Sequence, residues 1–201
     1  TDNGVFSKDE LDYGSYLLIK NVLPIVKGKV LDLGCGYGPI GIYLKKKYSV
    51  NVDMIDINES YMKRCYELAI SAGKKGFDTF GAVLVCDGQI LEEAENTADF
   101  EKKIFGHAEY NLVHKCANKY TDDILEKSVV YTSCAPCERC LAAIASLGVH
   151  QVVCGVSYKE FCKLLPFNYQ AVDREGLLKQ LGIDMTLTES VLEDEGMHVF
   201  E

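Results

Sequence analysis

No run of 18 apolar residues occurs in this 201-residue chain, and no leader of the basic, apolar, small-residue type opens it, so a soluble, cytoplasmic protein is expected. Proline is scarce: Pro24, Pro39, Pro136 and Pro166 are the only four, and none is next to another. There is no Gly/Ser-rich or Pro-rich linker, internal repeat or low-complexity segment, so any domain boundary has to be read from patterning. Positive charge is also short. Lys and Arg number 21 against 30 acids, for a net charge of −9, and residues 192–201 carry four acids and no Lys or Arg. Phosphate contacts come from clustered Lys and Arg, so this balance counts against a nucleic-acid partner. The runs at Lys45–Lys47 and Lys74–Lys75 are short enough to be solvated faces. Nine cysteines, an odd number, lack the spacing of a disulfide framework and fit a reducing compartment. Of these, Cys35, Cys65, Cys86, Cys116, Cys154 and Cys162 sit among apolar neighbours and read as small core residues. With 48% apolar content the chain can bury one good core and a small satellite.

What is present concentrates between residues 107 and 140. His107, Ala108 and Glu109 are followed, thirty positions after the histidine, by Cys137 and Cys140 in the string PCERC. A structural zinc normally takes four protein ligands, whereas a hydrolytic one takes three and keeps a position for water. One imidazole, two thiols and a spare carboxylate match the second pattern. Ala108, Leu112, Val113 and Ala117 recur at helical spacing, which predicts His107 and Glu109 in the first turn of a helix over 107–119. Two positions apart, their side chains diverge by about 200° around the axis, so Glu109 is expected to stay off the metal. Residues 129–132 (VVYT) read as a strand, and Pro136 suits the first position of a helix running through Ile144. Cys137 and Cys140 then share one face of its opening turn, where exposed N–H groups favour thiolates. Other readings exist. A lone CxxC can be a redox pair or half of a structural zinc site, and Cys134 extends it to C-x-x-C-x-x-C, which could close a four-ligand site. Cys134, however, lies on the strand side of Pro136. His114 falls about 10 Å along the helix from His107 and cannot reach the same metal. His150 and His198 have no metal spacing.

The pair H-x-E and P-C-x-x-C is the zinc deaminase signature. On it, the chain from near Tyr61 onward resembles the cytidine deaminase-like superfamily, and within it the nucleobase and nucleoside deaminases that include guanine deaminases and tRNA adenosine deaminases. The string FGAVLV at 80–85, the turn at Asp87 and Gly88, Asn96 and the string LEDE at 192–195 add to the likeness, while Ala135 stands where many relatives have Glu. The resemblance implies an α/β fold, a three-layer α/β/α sandwich over residues 59–201. Its strands would be at 80–85, 89–94, 128–132, 151–155 and 185–189, and its helices at 60–73, 107–119 and 137–147. Gly148 after a helix and before a strand marks a parallel crossover. It also implies zinc on His107, Cys137 and Cys140, Glu109 as general acid and base, Asn96 and Ala108 as substrate contacts, and a homodimer. Tyr158, Phe161, Phe167 and Tyr169 could stack on a ring, though aromatics at that density are as often plain core.

The first 58 residues follow another pattern. A strand at 29–33 (KVLDL) runs into GCGYG at 34–38, a helix through 40–44 and a second strand at 50–55 ending at Asp56. Glycines at a strand-to-helix turn and an acid about 20 residues on are a nucleotide-type cofactor pattern. With NGVFS at 3–7, Leu11 and Asp12, the segment resembles the start of the class I S-adenosylmethionine-dependent methyltransferases that act on small-subunit ribosomal RNA guanine. In that family Gly34, Gly36, Gly38 and Asp56 would hold the cofactor. The Asn-Pro-Pro-aromatic tetrapeptide of those enzymes is missing, and two parallel strands with one helix cannot cover both faces of a sheet. Residues 1–58 are therefore expected to be a short, incomplete Rossmann-like segment, a truncated methyltransferase start joined to a whole deaminase at 59–201. The join falls in a helix that Asn58 can cap, with Tyr61, Cys65, Leu68 and Ala69 on one face until Gly73. The function expected is zinc-dependent deamination of a free nucleobase or nucleoside. Alternatives are a tRNA adenosine deaminase, which needs a basic groove, and a cofactor-binding methyltransferase-like module.

Overall fold

The computed structural model describes residues 13–21, 28–33, 39–55, 57–98, 105–165 and 172–200. It divides into two compact units, Thr1–Glu59 and Ser60–Glu201, with the boundary inside one helix. Among the described residues, no helix is long and apolar enough to cross a membrane.

In the first unit, α1 (Tyr13–Asn21) precedes β1 (Lys29–Leu33), α2 (Pro39–Tyr48) and β2 (Asn51–Ile55). The strands are parallel, with Lys29 opposite Asn51 and Leu33 opposite Ile55, and α2 packs on both. Pro39 opens α2, where its missing N–H is no loss, and Lys45, Lys46 and Lys47 fill the last turn, where cations suit the helix dipole. Gly34, Gly36, Gly38 and Asp56 lie outside the described residues.

Helix α3 (Ile57–Lys74) leads into β3 (Gly81–Cys86) and β4 (Gln89–Glu95), joined at Asp87 and Gly88 with φ of 48° and 76°. Positive φ at both central residues is what a type I′ hairpin needs, and Gly88 supplies it without strain. There follow α4 (Ala108–Cys116), α5 (Asp122–Lys127), β5 (Val129–Cys134), α6 (Glu138–Leu147), β6 (Gln151–Val156), α7 (Tyr158–Cys162), α8 (Arg174–Gln180), β7 (Thr186–Thr188) and α9 (Glu193–Phe200). The sheet order is β4-β3-β5-β6-β7, with β3 antiparallel to both neighbours and β5, β6 and β7 parallel.

Strand alternation builds three layers. Ala82, Leu84, Val130 and Val152 face a core completed by Leu112 of α4 and Leu141 and Ile144 of α6. Their neighbours Val83, Val85 and Tyr131 face the other way, onto Tyr61, Met62 and Cys65 of α3. The same side receives α9 closely. A Cβ at Gly155 or Gly196 would come within 2.2 or 2.3 Å of the Tyr66 hydroxyl, which donates to Leu192 O at 3.1 Å.

Strand β4 lies at the sheet edge, and its alternate carbonyls are already accepting. Leu91 O takes the Tyr120 hydroxyl at 3.1 Å, Glu93 O the Lys115 ammonium at 2.6 Å and Glu95 O the Asn111 amide at 2.8 Å. The expected strands and helices are present with small shifts at their ends. Helix α4 stops at Cys116 because Ala117 turns to φ −55°, ψ 128° and Asn118 takes φ 63°. Helices α1, α5, α7, α8 and α9 were not among those expected.

Candidate active site

Helices α4 and α6 meet at their N-termini, and in each the leading donor is the N-cap residue instead of a member of the first turn. Beyond β5 the Ala135 N–H donates to Val156 O at 2.8 Å, which keeps the chain extended. Helix α6 consequently begins at Glu138, Cys137 is its N-cap (φ −70°, ψ 166°), and Pro136 precedes the cap instead of occupying the first helical position. His107 is likewise the N-cap of α4 (φ −61°, ψ 146°) and not a residue of its first turn. Its approach is fixed by Gly106, whose carbonyl accepts from Thr97 N at 2.7 Å and where a Cβ would come within 2.5 Å of Ala98 N.

These caps bring three donors together. His107 Nδ1 lies 3.7 Å from Cys137 Sγ and 3.5 Å from Cys140 Sγ, and the two sulfurs are 3.6 Å apart. Tetrahedral zinc, with bonds of about 2.3 Å to sulfur and about 2.0–2.1 Å to nitrogen, separates two sulfurs by about 3.8 Å and sulfur from nitrogen by about 3.6 Å. The donor triangle fits that ion, and His107, Cys137 and Cys140 form the metal-capable group found among the described residues. The two thiols act on each other: the hydrogen bond with Cys140 holds Cys137 down to about 3, while the bond with Cys137 and burial push Cys140 up. His107 is raised by its hydrogen bond with Cys137.

Glu109, in the first turn of α4, stands outside the triangle and is only 5% exposed. The Thr132 hydroxyl donates to its Oε1 at 2.6 Å. Burial raises the carboxyl above its ordinary value, with the Thr132 bond acting in the opposite direction. Asn96, just past β4, is 1% exposed; its Nδ2 donates to Ala98 O at 2.9 Å, and its buried Oδ1 has no hydrogen-bond partner among the described residues. Ala108 is fully buried. Cys134 closes β5 opposite Val156 and is not in the donor group. His114 lines a groove of about 570 Å³ with Arg64, Lys75 and Lys115, and His150 Nδ1 lies 2.8 Å from Asp184 O.

Two neighbours of the site were not anticipated. Thr132 could have been found, because period-two alternation puts it on the face of Val130, toward α4. Arg174 had no such signal. It is 6% exposed, donates through Nη1 to Pro136 O at 2.8 Å, pairs through Nη2 with Glu189, and lies 4.9 Å from the Tyr158 ring centroid. Tyr158 is thus engaged by a cation, and Phe161 belongs to a trio with Phe80 and Phe200 at centroid distances of 5.4–5.6 Å. Phe167 and Tyr169 lie outside the described residues.

Known proteins share both halves of the pattern. The family model "cytidine and deoxycytidylate deaminase zinc-binding region" matches residues 55–156, and "methyltransferase small domain" matches residues 1–79. The ribosomal RNA small subunit methyltransferase C of Pasteurella multocida is 54% identical over 27% of this chain and 17% of its own length. The guanine deaminase of Bacillus subtilis is 37% identical over 43% of this chain and 56% of its own. The tRNA-specific adenosine deaminase of the same organism is 29% identical over 61% and 82%. The chain thus spans well under two thirds of the first two. Among solved structures, the guanine deaminase from Nitrosomonas europaea superposes with a TM-score of 0.57 at 18% identity, covering 71% of this chain and 81% of that one, a likeness of fold.

Proposed function

We propose a function from one premise: the chain belongs to the cytidine and deoxycytidylate deaminase zinc-binding family. The reaction is hydrolysis of a carbon–nitrogen bond in a cyclic amidine, releasing ammonia from a free nucleobase or nucleoside. The observation that carries it is a zinc-sized triangle of one imidazole and two thiols beside a buried carboxyl that is not part of it.

Bound by His107, Cys137 and Cys140, zinc would supply a water acidified to a pKa of about 7. The protein's own groups do the rest. With Oε1 engaged by the Thr132 hydroxyl, Glu109 would take a proton at Oε2 from the attacking water and give it to the ring nitrogen; it would then take the second proton, from the hydroxyl that water becomes on the attacked carbon, and give it to the amine, which leaves as ammonia as the carbon–nitrogen bond breaks. Burial raises its proton affinity toward the working pH, which suits a group that must both accept and return a proton. Because Asn96 Nδ2 is committed to Ala98 O, its Oδ1 is the atom offered to the substrate, as an acceptor for a ring or exocyclic N–H. Ala108, with no polar side-chain atom, lets the ring lie against the start of α4.

A free base or nucleoside is favoured over tRNA by charge. Arg64, Lys75, Lys119, Lys163 and Arg174 are each paired with a carboxylate, and residues 192–201 contain no Lys or Arg. A tRNA substrate is the second reading, favoured by the length of the match to the tRNA-specific adenosine deaminase. The eight described cysteines are free thiols, which supports a cytoplasmic setting, and a homodimer follows from the family resemblance.

Zinc analysis together with ammonia release from cytosine, guanine, adenine, their nucleosides and tRNA tests the reading. One zinc per chain and turnover on a small substrate are expected. An active but metal-free protein overturns the proposal, and turnover on tRNA alone selects the second reading.

A further inference from the structure

Arg174 is a buried cation that the proposed chemistry does not use. It opens α8, just after Asp173, whose Oδ1 caps the helix by accepting from Gly176 N at 2.9 Å. A guanidinium that far from water is tolerated only where its donors are satisfied and its charge is met. Here Nη1 donates to Pro136 O, Nη2 pairs with Glu189, and the guanidinium lies by the Tyr158 ring. The three partners share a position in the fold. Pro136 comes two residues after β5, Tyr158 two after β6 and Glu189 one after β7, so one planar cation ties together the C-terminal ends of three adjacent parallel strands.

The bond to Pro136 bears directly on the metal site. Ala135 is fixed by its N–H bond to Val156 O, and the proline ring fixes φ at Pro136. The torsion left free before Cys137 is ψ of Pro136, and that torsion aims the carbonyl held by Arg174. We propose that Arg174 is a positioning residue for the metal: by holding the Pro136 carbonyl it sets the peptide entering Cys137 and so directs Cys137 Sγ toward Cys140 and His107. This rests on the reading of His107, Cys137 and Cys140 as zinc ligands. Glu189 positions Arg174 in turn. Lysine, with a point charge in place of a fork, can meet the carbonyl or the carboxylate but not both in the same geometry.

The test uses the full-length, zinc-loaded protein and three variants, Arg174→Met, Arg174→Lys and Glu189→Gln. Zinc loss to an excess of a coloured chelator gives a rate, cobalt(II) substitution gives the sulfur-to-metal absorption bands, and thermal unfolding of the metal-free forms reports stability separately. Residues behind metal ligands typically alter affinity ten- to a hundredfold, so Arg174→Met is expected to release zinc roughly 10–100 times faster, with shifted cobalt bands, and Arg174→Lys to fall between it and the unaltered chain. Should Arg174→Met fail to fold, the Arg174→Lys comparison decides. Unchanged zinc release and cobalt bands in a folded variant, even one with a lowered melting temperature, would show Arg174 to be plain structural support and overturn the proposal. An unaltered chain that holds no zinc overturns the parent reading of the site, and this one with it.

Discussion

Each of the two units carries a fingerprint sequence between a strand and a helix, yet the described residues that flank the two differ sharply. In Ser60–Glu201 the caps of α4 and α6 are pinned from outside their own segments, by Thr97 on Gly106 and by Val156 on Ala135. Behind them lie five strands with helices on both faces and side chains such as Met62, Leu84 and Ile144 fully buried. Among the described residues of Thr1–Glu59 the sheet has two strands, and Tyr16, Leu17, Leu18 and Ile42 are 39–52% exposed. A motif becomes a site when distant strands fix its backbone.

The largest expected effect comes from Glu109→Gln, which should lower kcat by roughly 10²–10⁴-fold while zinc stays bound, whereas Gly36→Ala in the first unit should leave ammonia release unchanged. Equal losses in both would break the contrast. Next, Ile144→Ala removes a fully buried side chain and should cost about 2–5 kcal/mol in denaturant titration, against about 0.5 kcal/mol or less for the exposed Ile42→Ser. Thr132→Val deletes the donor to the Glu109 carboxyl, a bond of the class worth about 1.5–3 kcal/mol, and should reduce kcat roughly ten- to a hundredfold with the fold intact by circular dichroism.

Smaller still are the ion pairs of β4. Hydrogen bonds from Lys119, Arg64 and Lys75 hold Glu92, Glu93 and Glu95 below their usual 4.5. Their contribution is therefore complete above that value and lost as pH falls through the lowered ones. The cations are more than a third exposed, so solvent screens each pair strongly, and 1 M salt should erase most of the difference in acid-unfolding midpoint between the unaltered chain and Lys119→Met. The smallest effect is none: calorimetry with S-adenosylmethionine should give no saturable heat, and clear binding would restore the first unit as a cofactor site.

The sheet was legible because period-two runs such as VVYT declare both a strand and the face each residue takes. The grouping of His107, Cys137 and Cys140 was legible because an imidazole and two thiols at that spacing are rare. Helix starts were not. Pro136 and His107 are displaced from their expected positions beside hydrogen bonds of Ala135 to Val156 and of Gly106 to Thr97, residues outside their own segments, which no local pattern contains. Helices α5, α7, α8 and α9 run five to eight residues, too short for an apolar stripe to repeat. Arg174 was invisible for the same reason, since its partners lie 15 and 38 positions away. The four N-terminal positions expected to hold a cofactor lie outside the described residues.

The capped edge of β4 has a consequence for how copies of this chain meet. A strand arriving from another molecule would have to evict Tyr120, Lys115 and Asn111 before gaining its first main-chain acceptor, so that margin resists fibril templating and strand exchange. At the opposite margin β7 offers only three residues, too short a ladder to recruit a neighbour. Self-association of this unit is thereby steered to its helical surfaces, where recognition depends on side-chain shape and leaves the sheet a closed interior.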